Sequence, residues 1–331
     1  MNKLLVALSV SVLSPVLFAK PTIVTSIKPV SMVVAAIAGD RANIEQIVSS
    51  TASPHDFALR PSDLRKINQA DTVVWVGESL ERFLEKPLEN AGKEKSSIEW
   101  LALKGMTLQE FDKGHEEEHH EEHVGHDEHA DHDDHADHEE HHDGDMDHDE
   151  HASHEEGHHH EGVNPHVWLS PNNAKVLAEA VTKRLVALDS ANASYYQQNL
   201  VTFEKGLAKK DAEIKASLAS VKNVPYIVFH DGYGYFEQHY GLDHVGEVTV
   251  SPERKPGAKK VAELRDMINE HKVQCVFSEP QFSPAIVKTL LEGTKVKSVP
   301  LDPLGTDIVM NRGAYLAFLT EISGQFMSCL R

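Results

Sequence analysis

Between His115 and His160 the chain reads HEEEHHEEHVGHDEHADHDDHADHEEHHDGDMDHDEHASHEEGHHH, with seventeen of the 23 histidines and no Lys or Arg. A segment this polar has too little apolar surface to offset the entropy of ordering its backbone. It is therefore expected to remain a solvated, flexible loop. Imidazole and carboxylate are ligands of divalent transition metals, so the tract predicts metal handling. Its candidate weak ligands are His115, His119, His120, His123, His126, His129, His132, His135, His138, His141, His142, His148, His151, His154, His158, His159 and His160. Protonated imidazole cannot ligate, and free histidine titrates near ~6.5, so such sites are expected to empty as pH falls.

The formal charge of −20 is local. Residues 115–161 carry twenty-one carboxylates, so the rest of the chain sums to +1. No basic stripe is present, which argues against nucleic acid as a partner. The opening MNKLLVALSVSVLSPVLFAK has one early Lys and a short apolar run, then polar sequence. It reads as a secretory signal peptide over residues 1–19, cut near Ala19, and predicts a soluble exported, periplasmic protein. Cys275 and Cys329 are the only cysteines. In an exported protein two cysteines suggest one disulfide, with two unpaired ligand thiols as the alternative.

Short apolar runs alternate with amphipathic ones on both sides of the tract, as in α/β lobes. Strand-like runs fall at 22–27, 42–48 and 71–77, and helical stretches at 30–38 and from Pro61, where Ser62 or Asp63 can cap. After the tract, His166–Leu169 reads as a strand, Ser170–Pro171–Asn172 as a turn, and a helix follows. Apolar spacing from Ala191 to Val221 predicts one long helix, spanning about 45 Å. Further strands are predicted at 226–229, 274–277 and 295–299, and helices at 257–270, 284–291 and 314–327. The expected domains are an N-terminal lobe at 20–190 carrying the tract, a connecting helix at 191–222, and a C-terminal lobe at 223–331.

Six histidines lie outside the tract. His55 and His230 each follow a predicted strand, His166 closely follows the tract, and Asp302 follows a further strand. Ligands of open α/β sheets collect at the carboxyl ends of strands. These four residues can therefore converge on one cleft, although a histidine after a strand is as readily a satisfied hydrogen-bonding group. Spacing alone does not decide. His239, His244 and His271 sit in helical or turn contexts and are expected at the surface. Asp56 and Asp231, each beside a candidate ligand, are expected either to orient an imidazole or to cap a helix.

The segments PHDFALRPSDLRKINQADTVVWVG, NPHVWLSP, FHDGYGYFEQHYGL, CVFSEPQF and LDPLGTDI, in this order, resemble the ZnuA family. Its members are periplasmic zinc-binding subunits of high-affinity zinc ABC importers, within the metal-specific cluster of solute-binding proteins. The resemblance covers essentially the whole mature chain. It implies two α/β lobes joined by a long rigid helix, with the metal between them on His55, His166 and His230. It places Asp302 as a fourth ligand or a nearby group, and a disulfide on Cys275 and Cys329. Some relatives carry a Glu directly before the first histidine; here Pro54 stands there, so water or Asp302 must complete the shell. Manganese-type relatives put a carboxylate where this chain has His230, and three imidazoles suit zinc. Zn²⁺ is then the transported ligand, an inner-membrane ABC permease with its cytoplasmic ATPase the partner, and a monomer the expected state. Two other functions fit a three-histidine site. One is a zinc enzyme, against which stands the absence of a helix carrying HExxH; the other is a passive zinc buffer or adhesin.

Overall fold

The computed structural model describes residues 19–111, 162–249, 252 and 255–331. The signal-peptide expectation and the tract histidines lie outside these residues. Among the described residues, no helix is long and apolar enough to cross a membrane.

The first lobe comprises β1 (Thr22–Thr25), α1 (Lys28–Ala38), β2 (Asn43–Gln46), α2 (Pro61–Gln69), β3 (Thr72–Trp75), the short α3 (Glu78–Glu81) and α4 (Glu85–Asn90), and β4 (Ile98–Glu99). Its sheet is parallel throughout, in the order β2-β1-β3-β4. The two central strands are covered on both faces, which is why they read as continuous apolar runs. At α2 Pro61 supplies the preset first turn, and Asp63 reaches back to accept the Arg60 N–H at 2.9 Å.

Beyond the tract, Val167–Leu169 is a 3₁₀ turn and not the predicted strand. The apolar side chains there serve packing and not a ladder: Trp168 is buried and donates its indole N–H to the Pro303 carbonyl at 2.8 Å. Ser170 then caps α5 (Pro171–Leu188), accepting the Asn173 N–H at 3.2 Å. The long helix is α6 (Ala193–Leu218), 26 residues and about 39 Å.

The second lobe comprises β5 (Tyr226–His230), α7 (Gly234–Tyr240), β6 (Gly246–Thr249), α8 (Ala258–Glu270), β7 (Cys275–Ser278), α9 (Ala285–Leu291), β8 (Lys297–Pro300) and α10 (Ala314–Leu330). Its parallel sheet has the order β6-β5-β7-β8, the same topology as the first. α3, α4, α7, β4 and β6 were not expected; each is short, and β4 and β6 carry no long apolar run.

Helices α1, α5, α6 and α10 pack on one another, so material from both halves shares one layer. A single apolar cluster runs from Ile23 and Val74 of the first sheet through Leu207 and Phe318 to Tyr226 and Phe277 of the second. Cys275 of β7 and Cys329 of α10 form a disulfide with Cα atoms 5.8 Å apart, which ties the last helix to its sheet.

Glu81 is completely buried at the carboxyl end of the first sheet. One carboxylate oxygen accepts the N–H of Val76 at 2.7 Å and of Gly77 at 3.3 Å. Burial pushes its carboxyl up to about 7, against the lowering effect of a hydrogen bond from Ser26 and of those two N–H groups. The folded state therefore holds a proton that the unfolded state has lost above about 4.5. The associated stability is fully present below that value and is lost as pH rises through about 7. Glu81→Gln removes this dependence. In denaturant unfolding, the variant is expected to gain on the natural protein by about 2–3 kcal/mol between pH 5 and pH 8; a parallel pH dependence of the two proteins would contradict this.

Candidate metal centre

The carboxyl ends of the strands face the junction between the lobes. His230 is the last residue of β5, and His55 lies in the connection from β2 to α2. His166 precedes the 3₁₀ turn that Trp168 anchors beneath Pro303. Among the described residues these three form the group able to hold a metal ion, one nitrogen from each lying within 4.8 Å of the others. His166 Nε2 is 3.3 Å from His55 Nε2 and 3.0 Å from His230 Nε2. Tetrahedral ligands at ~2.0–2.1 Å from a zinc ion stand about 3.3–3.4 Å apart, so the spacing fits a cation of that size.

The far side of each buried ring fixes what the near side presents. His166 Nδ1 is 2.7 Å from Asn164 Oδ1, and the same oxygen accepts the His166 backbone N–H at 3.0 Å. His230 Nδ1 is 2.7 Å from Glu279 Oε1. Both acceptors require N–H at Nδ1, which leaves a lone pair on each Nε2, aimed at the shared centre. Burial, reinforced by His230 and His55, holds His166 well below the usual histidine range, so its ring stays neutral.

Glu279 is the residue that sequence reasoning missed. The pairing of β5 with β7 sets Tyr226 beside Cys275 and Ile227 beside Val276, and carried forward this register puts Glu279 beside His230. No sequence signal gives that register. The expected neighbours behave otherwise. Asp56 is exposed, and half-buried Asp231 lines the open side of the cleft, where burial raises its carboxyl. Asp302 is buried, but its carboxylate closes its own turn: it accepts the N–H groups of Leu304 at 3.0 Å and Thr306 at 2.5 Å, and the Gln281 amide at 2.8 Å. The structure does not bring it into the histidine group.

His244 is partly buried and not fully exposed. Its ring packs 2.9 Å from Glu237, whose carboxylate also accepts the Tyr226 hydroxyl. Burial opposes its charge, but Glu237 prevails and raises it to about 9. His239 Nε2 lies 2.6 Å from Asp211, and His271 ends α8.

The family model described as "ZnuA: Zinc-uptake complex component A periplasmic" matches residues 23–329. The chain belongs to the ZnuA family. The protein named high-affinity zinc uptake system protein ZnuA from Haemophilus influenzae is 43% identical over 98% of this chain and 97% of its own length. Its namesake from Yersinia pestis is 38% identical over 96% and 94%. A solved structure titled "Crystal structure of ZnuA" superposes with a TM-score of 0.71 at 22% identity, covering 95% of this chain and all of that one. That last likeness extends to the fold: two parallel-sheet α/β lobes and a long helix.

One backbone position in this ZnuA-family cleft has no room for a side chain. A Cβ on Gly232 would fall 2.5 Å from His230 Nε2 and 3.1 Å from His166 Nε2. Gly232→Ala must displace two imidazoles locked from behind by Glu279 and Asn164. Metal affinity is expected to fall on the order of 10–100-fold, the usual effect of disturbing groups that orient metal ligands. A competition titration giving the affinity of the natural protein would show instead that the rings can yield.

Proposed function

We propose that this protein captures Zn²⁺ with high affinity in the periplasm and delivers it to an inner-membrane ABC permease driven by a cytoplasmic ATPase. It acts as a soluble monomer after removal of its signal peptide. Zinc is cargo here, so the site must bind tightly yet be able to release. His55, His166 and His230 are the ligands that carry the ion. The observation that carries the reading is the convergence of three Nε2 atoms, two of them with the tautomer set from behind. Three neutral imidazoles favour zinc over manganese, which prefers oxygen. Family membership supports the same cargo and the same importer partners.

The shared helical layer constrains release. Rotating the lobes apart would expose the continuous cluster around Leu207 and Phe318, at about 25 cal/mol for each Å² of apolar surface. Release by local movement of the segment carrying His55, which is only half-buried, is the less costly course.

The histidine-rich tract is an accessory to this site. At its base Phe111 N–H donates to the Gly162 carbonyl at 2.9 Å and Asn164 N–H to Gln109 at 2.8 Å. The chain ends flanking the tract therefore already meet, and residues 115–161 can be replaced by a short link. In a competitive zinc titration of that variant, one tight site per chain is expected to remain. Adding His166→Ala is expected to weaken it by at least about 100-fold. Loss of the tight site on tract removal alone would move the function to the tract.

A further inference from the structure

At the base of the histidine-rich tract the chain pairs with itself. Glu110 and Val163 form an antiparallel bridge, so Gln109 stands opposite Asn164. Opposite residues in a hydrogen-bonded antiparallel pair exchange two N–H···O bonds. One of the two is direct: the Asn164 N–H donates to the Gln109 carbonyl at 2.8 Å. In place of the other stands the Tyr235 hydroxyl, which accepts the Gln109 N–H at 3.0 Å and donates to the Asn164 carbonyl at 2.8 Å. Burial pushes this hydroxyl up to about 12, against the lowering effect of the Gln109 N–H, so it keeps the proton that the relay needs.

A single partner would satisfy a buried tyrosine hydroxyl. This one has two, and they are the two groups that would otherwise bond to each other. The contact also crosses between lobes, because Tyr235 belongs to α7 of the second lobe. The Gln109 side chain strengthens it by donating to the Gly234 carbonyl at 3.3 Å and to Gln238 Oε1. The approach is too close for a side chain on the first residue of α7: a Cβ on Gly234 would fall 2.9 Å from Gln109 Oε1.

Two of the converging histidines lie at the two ends of this contact. On one side Asn164 leads into His166 and holds both its Nδ1 and its backbone N–H. On the other, α7 begins four residues after His230. His166 and His230 are 64 residues apart along the chain, and their Nε2 atoms must nevertheless keep a fixed distance. The Tyr235 hydroxyl joins the two segments two residues before His166 and five after His230. We infer that Tyr235 is a positioning residue for zinc capture: its hydroxyl locks the Asn164 turn that aims His166 onto the chain that carries His230. The inference rests on the zinc reading above. Tyr235 touches neither imidazole through its hydroxyl and acts through Asn164. It does so at the pair through which residues 112–161 are attached, so it also holds the His166 turn in place at the point where the tract joins the fold.

The test is a competitive zinc titration of the full-length chain, natural and Tyr235→Phe, each with and without Asn164→Ala, joined to amide hydrogen exchange of the zinc-free proteins. Tyr235→Phe keeps the buried ring and removes only the relay. It is expected to weaken the tight site about 10-fold and to speed exchange of the Gln109 N–H. Asn164→Ala removes the group through which Tyr235 acts, so in that background the same change is expected to add less than about 2-fold. A role in packing alone predicts equal losses in both backgrounds, and that result would overturn the inference while leaving the transport reading intact. Unchanged zinc affinity in Tyr235→Phe would overturn it as well. So would weakened zinc with unchanged exchange at Gln109, which decides the matter even where Asn164→Ala does not fold. The lack of any tight site in the natural protein would instead remove the zinc reading, and the inference with it.

Discussion

A neutral imidazole donates from only one nitrogen, so the acceptor on one side of the ring determines what the other side presents. Here Asn164 and Glu279 engage Nδ1 of two buried histidines, and the Nε2 atoms stand 3.0 Å apart with no proton to share. Lone pairs at that distance repel. A cation between them converts the repulsion into coordination, and the protein holds the arrangement in advance of the ion. Every other feature of the cleft bears on keeping those rings from turning away, including Gly232, whose bare backbone lies against them.

Holding them requires a frame that does not relax. Two parallel sheets of identical strand order supply it, since both aim their carboxyl ends at the same junction. Parallel sheets are buried on both faces and need helices to cover them. The helices covering these two sheets are partly the same ones. α1 packs on α5 and α6, and α10 packs on α6 and α1. The lobes are joined through a common core and not through a flexible linker. Polar ties repeat the point near the histidine group: Ser50, in the segment that leads to His55, receives hydrogen bonds from Gln281 and Thr306 of the other lobe.

Much of this frame is legible in the sequence because burial on both faces leaves continuous apolar runs. DTVVWVG and YIVF read as strands for that reason, and the helical spacing of Phe203, Leu207, Ile214 and Leu218 reads as one helix. The pattern fails where a short apolar run serves packing. VWL after His166 has the composition of a strand but no sheet beside it, and the indole of Trp168 pins it as a turn. Edge strands such as β6, Gly246–Thr249, are too short and too polar to register. His244 is a related case. Its turn context suggests solvent, and only the fold reveals Glu237 beneath it.

The three converging histidines stand out in the sequence because each lies next to an element end, which is a local property. Their supporting carboxylate does not, because its place depends on pairing between strands. Asp231 adjoins His230 along the chain, yet successive residues at a strand end point in opposite directions. Glu279 is 49 residues away in sequence and 2.7 Å away in space, because β5 and β7 are neighbours in the sheet. Asp302 shows the converse. It sits where a ligand is expected, after a strand at the carboxyl end of the sheet, but the tight turn through Leu304 and Thr306 leaves N–H groups that need an acceptor. An aspartate at that position satisfies the backbone first. Chemistry at a site of this kind is thus divided between residues chosen by position along a strand and residues chosen by position across the sheet, and only the first set leaves a mark in one sequence.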